Sequence, residues 1–306
     1  MIAYPTPHYS KLKATLESGK LPSCDRSQVV QAMERYREWI ADLDKIIEAD
    51  GPEDLRLQKM VDLLNQYRLY IEIDLILNSQ SGWLYRQKGQ IKLDNSIIEE
   101  FLPRLVRSCL KSELSLLDVT IGPTTTFSSV WFNSSPKRPG SGGGLNIRTK
   151  DHDFAISRPL RLNATDASRS VTSTEMFNLA YVAAECKTNL DKTMFQEACA
   201  SASDLKSAVP GAKYFILCEW LDMTPISSST SPVDKVFLLR KSKRPSAEMR
   251  ALGVYGGQQA ARETYINFLV EHPYKAEVFG TFIDCVRDVL TYEPIDQATA
   301  LEQGYF

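Results

Sequence analysis

The first third of the chain carries apolar side chains at intervals of three and four residues, the period of an α-helix. One such stretch follows Asp25 or Ser27, either of which can cap a helix N-terminus. A second runs from Leu55 to Leu77 and stops at the polar segment 78–82. The pattern predicts an N-terminal helical region over residues 1–90. The apolar positions of the first stretch are Val29, Val30, Met33, Trp39, Ile40, Leu43 and Ile46.

The pattern changes along the rest of the chain. A helix is predicted from Asn95 to Cys109, with Pro103 inside it as a possible kink. After residue 111, short alternating or apolar runs are separated by Pro, Ser and Gly, which is typical of strands. A helical stretch at 191–207 between two of these runs indicates an α/β (α+β) core over residues 91–240. Residues 241–306 are predicted to form a helical extension packed on it. The predicted strands are 127–132, 145–148, 153–162, 177–187, 214–219 and 236–239, and the closing helices are 257–270 and 274–290.

The amino-acid composition argues against some kinds of site but does not indicate a particular function. The six cysteines are scattered without a Cys-x-x-Cys pair, and three histidines are too few for a histidine-rich metal site, so neither a zinc site nor a disulfide framework is expected. The 36 basic and 38 acidic side chains nearly balance, which neither indicates nor excludes a nucleic-acid partner. No apolar run reaches transmembrane length and no secretory segment is present. A cytoplasmic protein without a membrane partner is expected.

The stretch Tyr181–Lys187 is the most informative for chemistry, because an apolar run ends there in a carboxylate and an ammonium. Side chains alternate along a strand, so Glu185 and Lys187 project from the same side. If the strand that begins at Asp153 is its hairpin neighbour, Asp153 and Glu185 can converge on one metal ion. Two hard oxygen ligands suit Mg²⁺, and Lys187 could stabilise a phosphoryl transition state. The alternative is an exposed ion pair at a strand end, with Asp153 in a turn.

The chain resembles the PD-(D/E)XK nuclease superfamily in the order of five features. These features are Asp153, a hairpin, Glu185-Cys186-Lys187, a helix and the strand 212–219. The resemblance implies a small mixed sheet flanked by helices. It also implies a Mg²⁺ site formed by Asp153, Glu185 and the backbone carbonyl of Cys186, with Lys187 as a catalytic residue. His152 stands where the motif has proline. The separation of 32 residues between Asp153 and Glu185 is long, which leaves Asp151 as an alternative ligand.

The chain also looks like the Bpu10I/BbvCI group of type II restriction endonucleases. The resemblance lies in the stretches 84–90, 93–103, 150–159 and 185–197. That resemblance implies Mg²⁺-dependent cleavage of a short asymmetric site in double-stranded DNA. It implies a related second subunit, each subunit cutting one strand, although a homodimer leaves the same mark on one sequence. The helical region 1–90 would then serve DNA recognition or dimer contacts.

Superfamily members often carry one more acid on the helix before the hairpin. Of Glu99 and Glu100, Glu99 has the better helical phase relative to Leu102, Leu105 and Val106, which makes it a further catalytic candidate. A solvent-exposed helix face is the alternative for both acids.

Several cationic or polar side chains are candidates for phosphate contacts, which give affinity without sequence information. The Gly-rich segment 140–144 between two of the strands is expected to be a flexible loop that orders on DNA. Ordinary solvated surface charge is the alternative for each candidate. The set comprises Lys137, Arg138, Lys150, Lys192, Gln196, Lys241, Lys243 and Arg244.

The hypothesis that unites these observations is a site-specific, Mg²⁺-dependent DNA endonuclease subunit that hydrolyses one phosphodiester per active site. Two alternatives share the fold. One is a non-cleaving DNA-binding or partner subunit, and the other is a repair-type nuclease of the same superfamily. The intact set of Asp153, Glu185 and Lys187 argues against the non-cleaving subunit.

Overall fold

A computed structural model describes residues 4–167, 171–293 and 295–305. Helices precede the sheet, as the apolar periodicity predicts. The α2 helix begins at Ser23, so the predicted capping role of Asp25 or Ser27 is wrong. Asp25 is instead buried, and it accepts hydrogen bonds from the hydroxyls of Ser79 (2.8 Å) and Ser81. The first six helices are α1 (Pro7–Glu17), α2 (Ser23–Glu48), α3 (Glu53–Tyr70), α4 (Trp83–Ile91), α5 (Ser96–Cys109) and α6 (Lys111–Ser115), with a π-helical segment, Ile71–Leu77, after α3.

The described strands form one five-stranded mixed sheet in the order β1-β2-β3-β4-β5. The first three strands are antiparallel neighbours, whereas β4 and β5 run parallel to β3. The helix α7 (Lys192–Ala208) makes the crossover from β3 to β4. The predicted small mixed sheet flanked by helices is therefore confirmed. The strands are β1 (Thr120–Phe132), β2 (Leu145–Thr165), β3 (Thr172–Leu190), β4 (Lys213–Leu221) and β5 (Lys235–Leu238).

The strands are longer than the apolar runs that predict them. The separate runs 145–148 and 153–162 both lie on β2, because the polar residues between them also pair with β1. Pro103 does not interrupt α5, which continues to Cys109. Asp191 caps α7 by accepting a 2.8 Å hydrogen bond from the Met194 amide. The closing helices are α8 (Ala247–Leu252), α9 (Gln259–Glu271), α10 (Ala276–Leu290) and α11 (Gln297–Gln303).

Each side of the sheet packs on helices. Phe154, Cys186 and Phe215 belong to a buried cluster with α3, α5 and α10. Ala155, Ala183 and Ile216 belong to a second cluster with α7 on the other side. Within the described residues, no helix combines the length and the apolar character needed to cross a membrane.

A buried ionic network also joins the N-terminal helices to the sheet. Arg68 in α3 is 1% exposed and lies 3.2 Å from Glu219 in β4 and 2.7 Å from Glu72. Arg240 contacts the other oxygen of Glu219, also at 3.2 Å. Such buried charges are tolerated only when they are paired, so the network fixes how α3 lies against β4.

Candidate active site

An irregularity in β2 positions Asp153. Gly122 pairs with Ala155 and Thr124 with His152, so two steps along β1 match three along β2. A β-bulge of this kind breaks the alternation of side chains and can re-aim one of them. Phe154 remains in the core, while the Oδ2 atom of Asp153 accepts a 2.9 Å hydrogen bond from the backbone N–H of Cys186. The acid on β2 is thereby attached to the strand that carries Glu185 and Lys187.

Both carboxylate oxygens of Glu185 contact donors. The Tyr214 hydroxyl donates to Oε1 at 2.5 Å, and the Lys187 Nζ lies 2.9 Å from Oε2. Burial alone would raise the pKa of Glu185, but the hydrogen bonds from Tyr214 and Lys187 lower it. Burial would lower the pKa of Lys187, but Glu185 raises it. Both groups are charged at neutral pH, and the pair is not an exposed one because Glu185 is 8% exposed.

Glu99 on α5 also faces this site. Its side chain is buried, and its Oε1 atom has no hydrogen-bond partner among the described residues. Burial, together with the negative charge of Asp153, raises the pKa of Glu99 to about 7. Burial also raises the pKa of Asp153. Two neighbouring acids that both resist ionisation form a place where a cation would be stabilised.

The neighbouring Glu100 has a different environment. It accepts hydrogen bonds from the backbone N–H groups of His8 (2.9 Å) and Tyr9 (3.3 Å), in the first turn of α1, and from the Tyr36 hydroxyl. Its carboxylate therefore satisfies the free N–H groups of a helix N-terminus. Of the two acids considered from the sequence, the geometry brings Glu99 to Asp153 and turns Glu100 towards α1.

The structure separates Asp151 from Asp153 in a similar way. Asp151 is exposed and accepts a 2.5 Å hydrogen bond from the Thr125 hydroxyl on β1. Asp153, in contrast, is bonded to β3 beside Glu185. The geometry favours Asp153 as the acid of this site.

Three further side chains lie at the site and are not among the site residues predicted from the sequence. The Asn95 side chain donates a 2.8 Å hydrogen bond to the carbonyl oxygen of Cys186, the backbone atom that the resemblance implies as a metal ligand. Tyr214 binds Glu185, and the His152 ring packs edge-on against Tyr214 with centroids 5.7 Å apart. Burial lowers the pKa of His152 to about 4, so its ring is neutral. These contacts join residues far apart in sequence, which a local pattern does not reveal.

The donor chemistry fits Mg²⁺. Within the described part of the chain, no three His, Cys, Asp or Glu side chains come together as a metal-holding group. Mg²⁺ is nevertheless commonly bound through one or two carboxylates, with water and substrate phosphate completing the shell. Asp153 and Glu185 on adjacent strands, and the unpartnered oxygen of Glu99, supply such ligands.

The cationic candidates fall into two groups. Those near the hairpin and α7 are exposed: Lys137 and Arg138 lie in the β1–β2 connection, and Lys150 lies on β2. The charge of Lys150 contributes to the low pKa of Glu185, which places it near the acids. Lys192 and Gln196 are exposed in the first turns of α7.

The candidates after β5 are partly neutralised. Lys241 lies 2.6 Å from Glu277, and Arg244 lies 2.8 Å from Asp222. Lys243 is exposed and pairs through its backbone with the end of β4. A phosphate would have to compete with the acidic partners of Lys241 and Arg244, so these two side chains are weaker candidates for phosphate contacts than those of the hairpin.

A mixed sheet with two acids and a lysine on adjacent strands is the arrangement expected from the resemblance to PD-(D/E)XK nucleases. The model of the Bpu10I restriction endonuclease family matches residues 90–306, more than half of the chain, and the chain belongs to that family. It is a type II restriction endonuclease.

The fold agrees with this assignment. A solved chain from the native BbvCI A2B2 tetramer, determined at low resolution, is similar to this one with a TM-score of 0.54 and 19% identity. The similarity covers 93% of this chain and 98% of that chain, and at this identity it is a likeness of fold. A comparison with curated proteins gives no match.

Proposed function

We propose that this chain is the Mg²⁺-dependent subunit of a site-specific endonuclease and that it hydrolyses one phosphodiester bond of double-stranded DNA per active site. The observation that carries the proposal is the bulge in β2, which brings Asp153 to the strand of Glu185 and Lys187. A merely structural ion pair of Glu185 and Lys187 would not need a second acid on a neighbouring strand, nor a third, Glu99, buried beside it.

Each side chain has a distinct role in this proposal. Asp153, Glu185, Glu99 and the Cys186 carbonyl would hold Mg²⁺, which when bound neutralises phosphate charge and makes water more acidic. Lys187 is held by Glu185 at 2.9 Å and offers its remaining N–H groups to a phosphate oxygen. Tyr214 holds the carboxylate of Glu185 in place. Partial burial of these groups strengthens their interaction with developing charge.

The assembly is part of the proposal. The similar BbvCI structure is titled an A2B2 tetramer. We propose that this chain also acts with a second subunit, either a related chain or a second copy, because one active site cuts one strand. A cytoplasmic location follows from a DNA substrate.

A plasmid assay tests the catalytic assignment. Asp153→Asn and Lys187→Met should each abolish Mg²⁺-dependent nicking or linearisation of DNA that the unmodified chain cuts, with unchanged circular dichroism. The matched control is Lys213→Met, which removes a lysine at the start of β4 that pairs with Asp234 at 3.0 Å. Control activity should equal that of the unmodified chain.

The outcomes separate the alternatives. Loss of folding in both site variants would identify a structural ion pair and contradict the proposal. If the unmodified chain cuts no DNA, alone or with a related subunit, it is a non-cleaving partner. Cleavage without preference for any site would indicate a nuclease of the repair type.

A further inference from the structure

The hairpin of β1 and β2 contains a segment with an excess of basic side chains. Residues 129–150 contain Lys137, Arg138, Arg148 and Lys150 and no Asp or Glu, whereas the whole chain has a net charge of −2. The only described ion pair of these four cations joins Arg148 to Asp204 at 3.5 Å, between side chains that are 66% and 40% exposed. Such exposed pairs contribute little stability, so the four charges are available to a polyanion.

The same hairpin exposes large apolar side chains. Trp131 is 50% exposed, Phe132 is 56% exposed and Val130 is 42% exposed. Trp131 pairs with Asn146, and alternation along β2 puts Arg148 and Lys150 on the same side of the ribbon as Trp131. An aromatic ring and two cations therefore share one side.

The end of the hairpin is held by backbone hydrogen bonds. The Asn133 N–H donates to the Gly144 carbonyl at 2.8 Å, and Ser135 and Arg138 exchange backbone hydrogen bonds of 3.1 and 3.0 Å. Gly144 has a φ of +68°, and a Cβ there would lie 2.2 Å from the Asn133 carbonyl oxygen. The glycine is thus required for the close approach of the two strands, and Lys137 and Arg138 are presented on a defined turn.

The hairpin also leads away from the active site. Lys150 lies on β2 three residues before Asp153. Asn146, which pairs with Trp131, lies four residues before Lys150. At the rise of a strand, those four residues span about 14 Å. A two-stranded ribbon of this kind fits the major groove of DNA, which is about 12 Å wide.

We propose that the β1–β2 hairpin is a DNA-recognition ribbon, with Trp131 contacting bases and Lys137, Arg138, Arg148 and Lys150 contacting phosphates. The inference rests on the proposed function and deepens it by naming the element that touches DNA beside the scissile bond. The occupant is DNA rather than a second protein because the cores of protein interfaces are depleted of charge, whereas four exposed cations, of which Arg148 alone has a described ion pair, complement phosphates.

The test measures DNA binding separately from cleavage. The full-length chain carrying Lys187→Met is titrated with a fluorescent duplex containing a site that the unmodified chain cuts, and with a duplex lacking it, across a salt series. Adding Lys137→Gln and Arg138→Gln should reduce the slope of log K against log salt by about 2, since each phosphate contact contributes about 0.9. Trp131→Ala should weaken binding to the cognate duplex about tenfold or more and reduce the preference over the other duplex.

Matched controls use residues outside the ribbon and the active site. Lys206→Gln with Lys213→Gln removes two cations that both pair with Asp234. Tyr255→Ala removes an aromatic side chain of similar exposure, 51%. Neither control should change the salt slope or the preference for the cognate duplex.

Ribbon variants that bind like their controls would overturn the inference while leaving cleavage by the unmodified chain intact. If Trp131→Ala changes the mass of the assembly in light scattering and leaves the salt slope unchanged, the hairpin is a subunit contact and the inference is wrong. Failure of the unmodified chain to cut any DNA would instead refute the proposed function.

Discussion

The buried network of Arg68, Glu219, Arg240 and Glu72 gives the sharpest prediction for stability. Although burial alone would raise the pKa of Glu72, Arg68 and other cations lower it to about 2. Glu219 is 1% exposed and contacts two arginines, at 3.2 and 3.3 Å from Arg68 and 3.2 Å from Arg240. Glu219→Gln keeps the size of the side chain but removes its negative charge. The buried cations Arg68 and Arg240 then lose the carboxylate that both of them contact.

Breaking a buried ion pair by removing one partner costs about 3–5 kcal/mol. Because glutamine still offers one acceptor oxygen, we expect a loss of about 3 kcal/mol for Glu219→Gln. That loss is a large share of the 5–15 kcal/mol that typically separates folded from unfolded states. Unfolding in urea, followed by circular dichroism, should show a lower midpoint with an unchanged slope.

The control is Glu277→Gln, which breaks the 2.6 Å pair between Glu277 and Lys241. The side chain of Lys241 is 54% exposed and that of Glu277 is 61% exposed. An exposed pair of this kind contributes less than about 1 kcal/mol. If the two variants lose the same small amount of stability, the network does not hold α3 against β4 and the reasoning from burial fails.

Three further predictions concern single side chains. Burial lowers the pKa of His8 to about 3, against about 6.5 when unfolded, so the unfolded state binds the proton first and stability falls as pH drops below about 6.5. Between pH 7.5 and 5 the His8 contribution is a loss of about 2 kcal/mol, which should appear in urea titrations as the difference between the unmodified chain and His8→Gln; an unchanged pH dependence in the variant would contradict it. Tyr214→Phe should slow cleavage about tenfold or more, because a hydrogen bond to a charged group is lost, whereas Tyr265→Phe, which removes a buried hydroxyl from Glu72, should cleave normally; equal rates would refute the role of Tyr214. Glu99→Gln should raise the melting temperature without metal and reduce the gain that MgCl₂ gives, and an undiminished gain would exclude Glu99 as a ligand.

Local patterns were sufficient to predict the elements that depend on neighbouring residues. Side-chain alternation puts Glu185 and Lys187 on one side of β3, as the ion pair shows. The Asp191 cap depends only on the following turn. The small mixed sheet followed from strand–helix–strand order and the family resemblance.

Long-range contacts could not be predicted in this way. Asn95 reaches the Cys186 carbonyl across 91 positions, and Tyr214 reaches Glu185 across 29. The bulge at Asp153 depends on how β1 pairs with β2, and no residue type within β2 predicts it. The Asp25 cap was predicted from its type and place, but the energy of a buried carboxylate bound by Ser79 and Ser81 prevailed over the local preference.

Helix α5 shows why the N-terminal helices matter to chemistry performed on the sheet. Successive residues of a helix point about 100° apart, so Glu99 and Glu100 face different neighbours: Glu99 lies beside Asp153, and Glu100 binds the first turn of α1. Asn95, at the start of the same helix, binds the strand of Glu185 and Lys187. The predicted division at residue 90 separates α1 from α5 in sequence, and the backbone N–H groups of His8 and Tyr9 in α1 join the two helices across it by donating hydrogen bonds to Glu100 of α5.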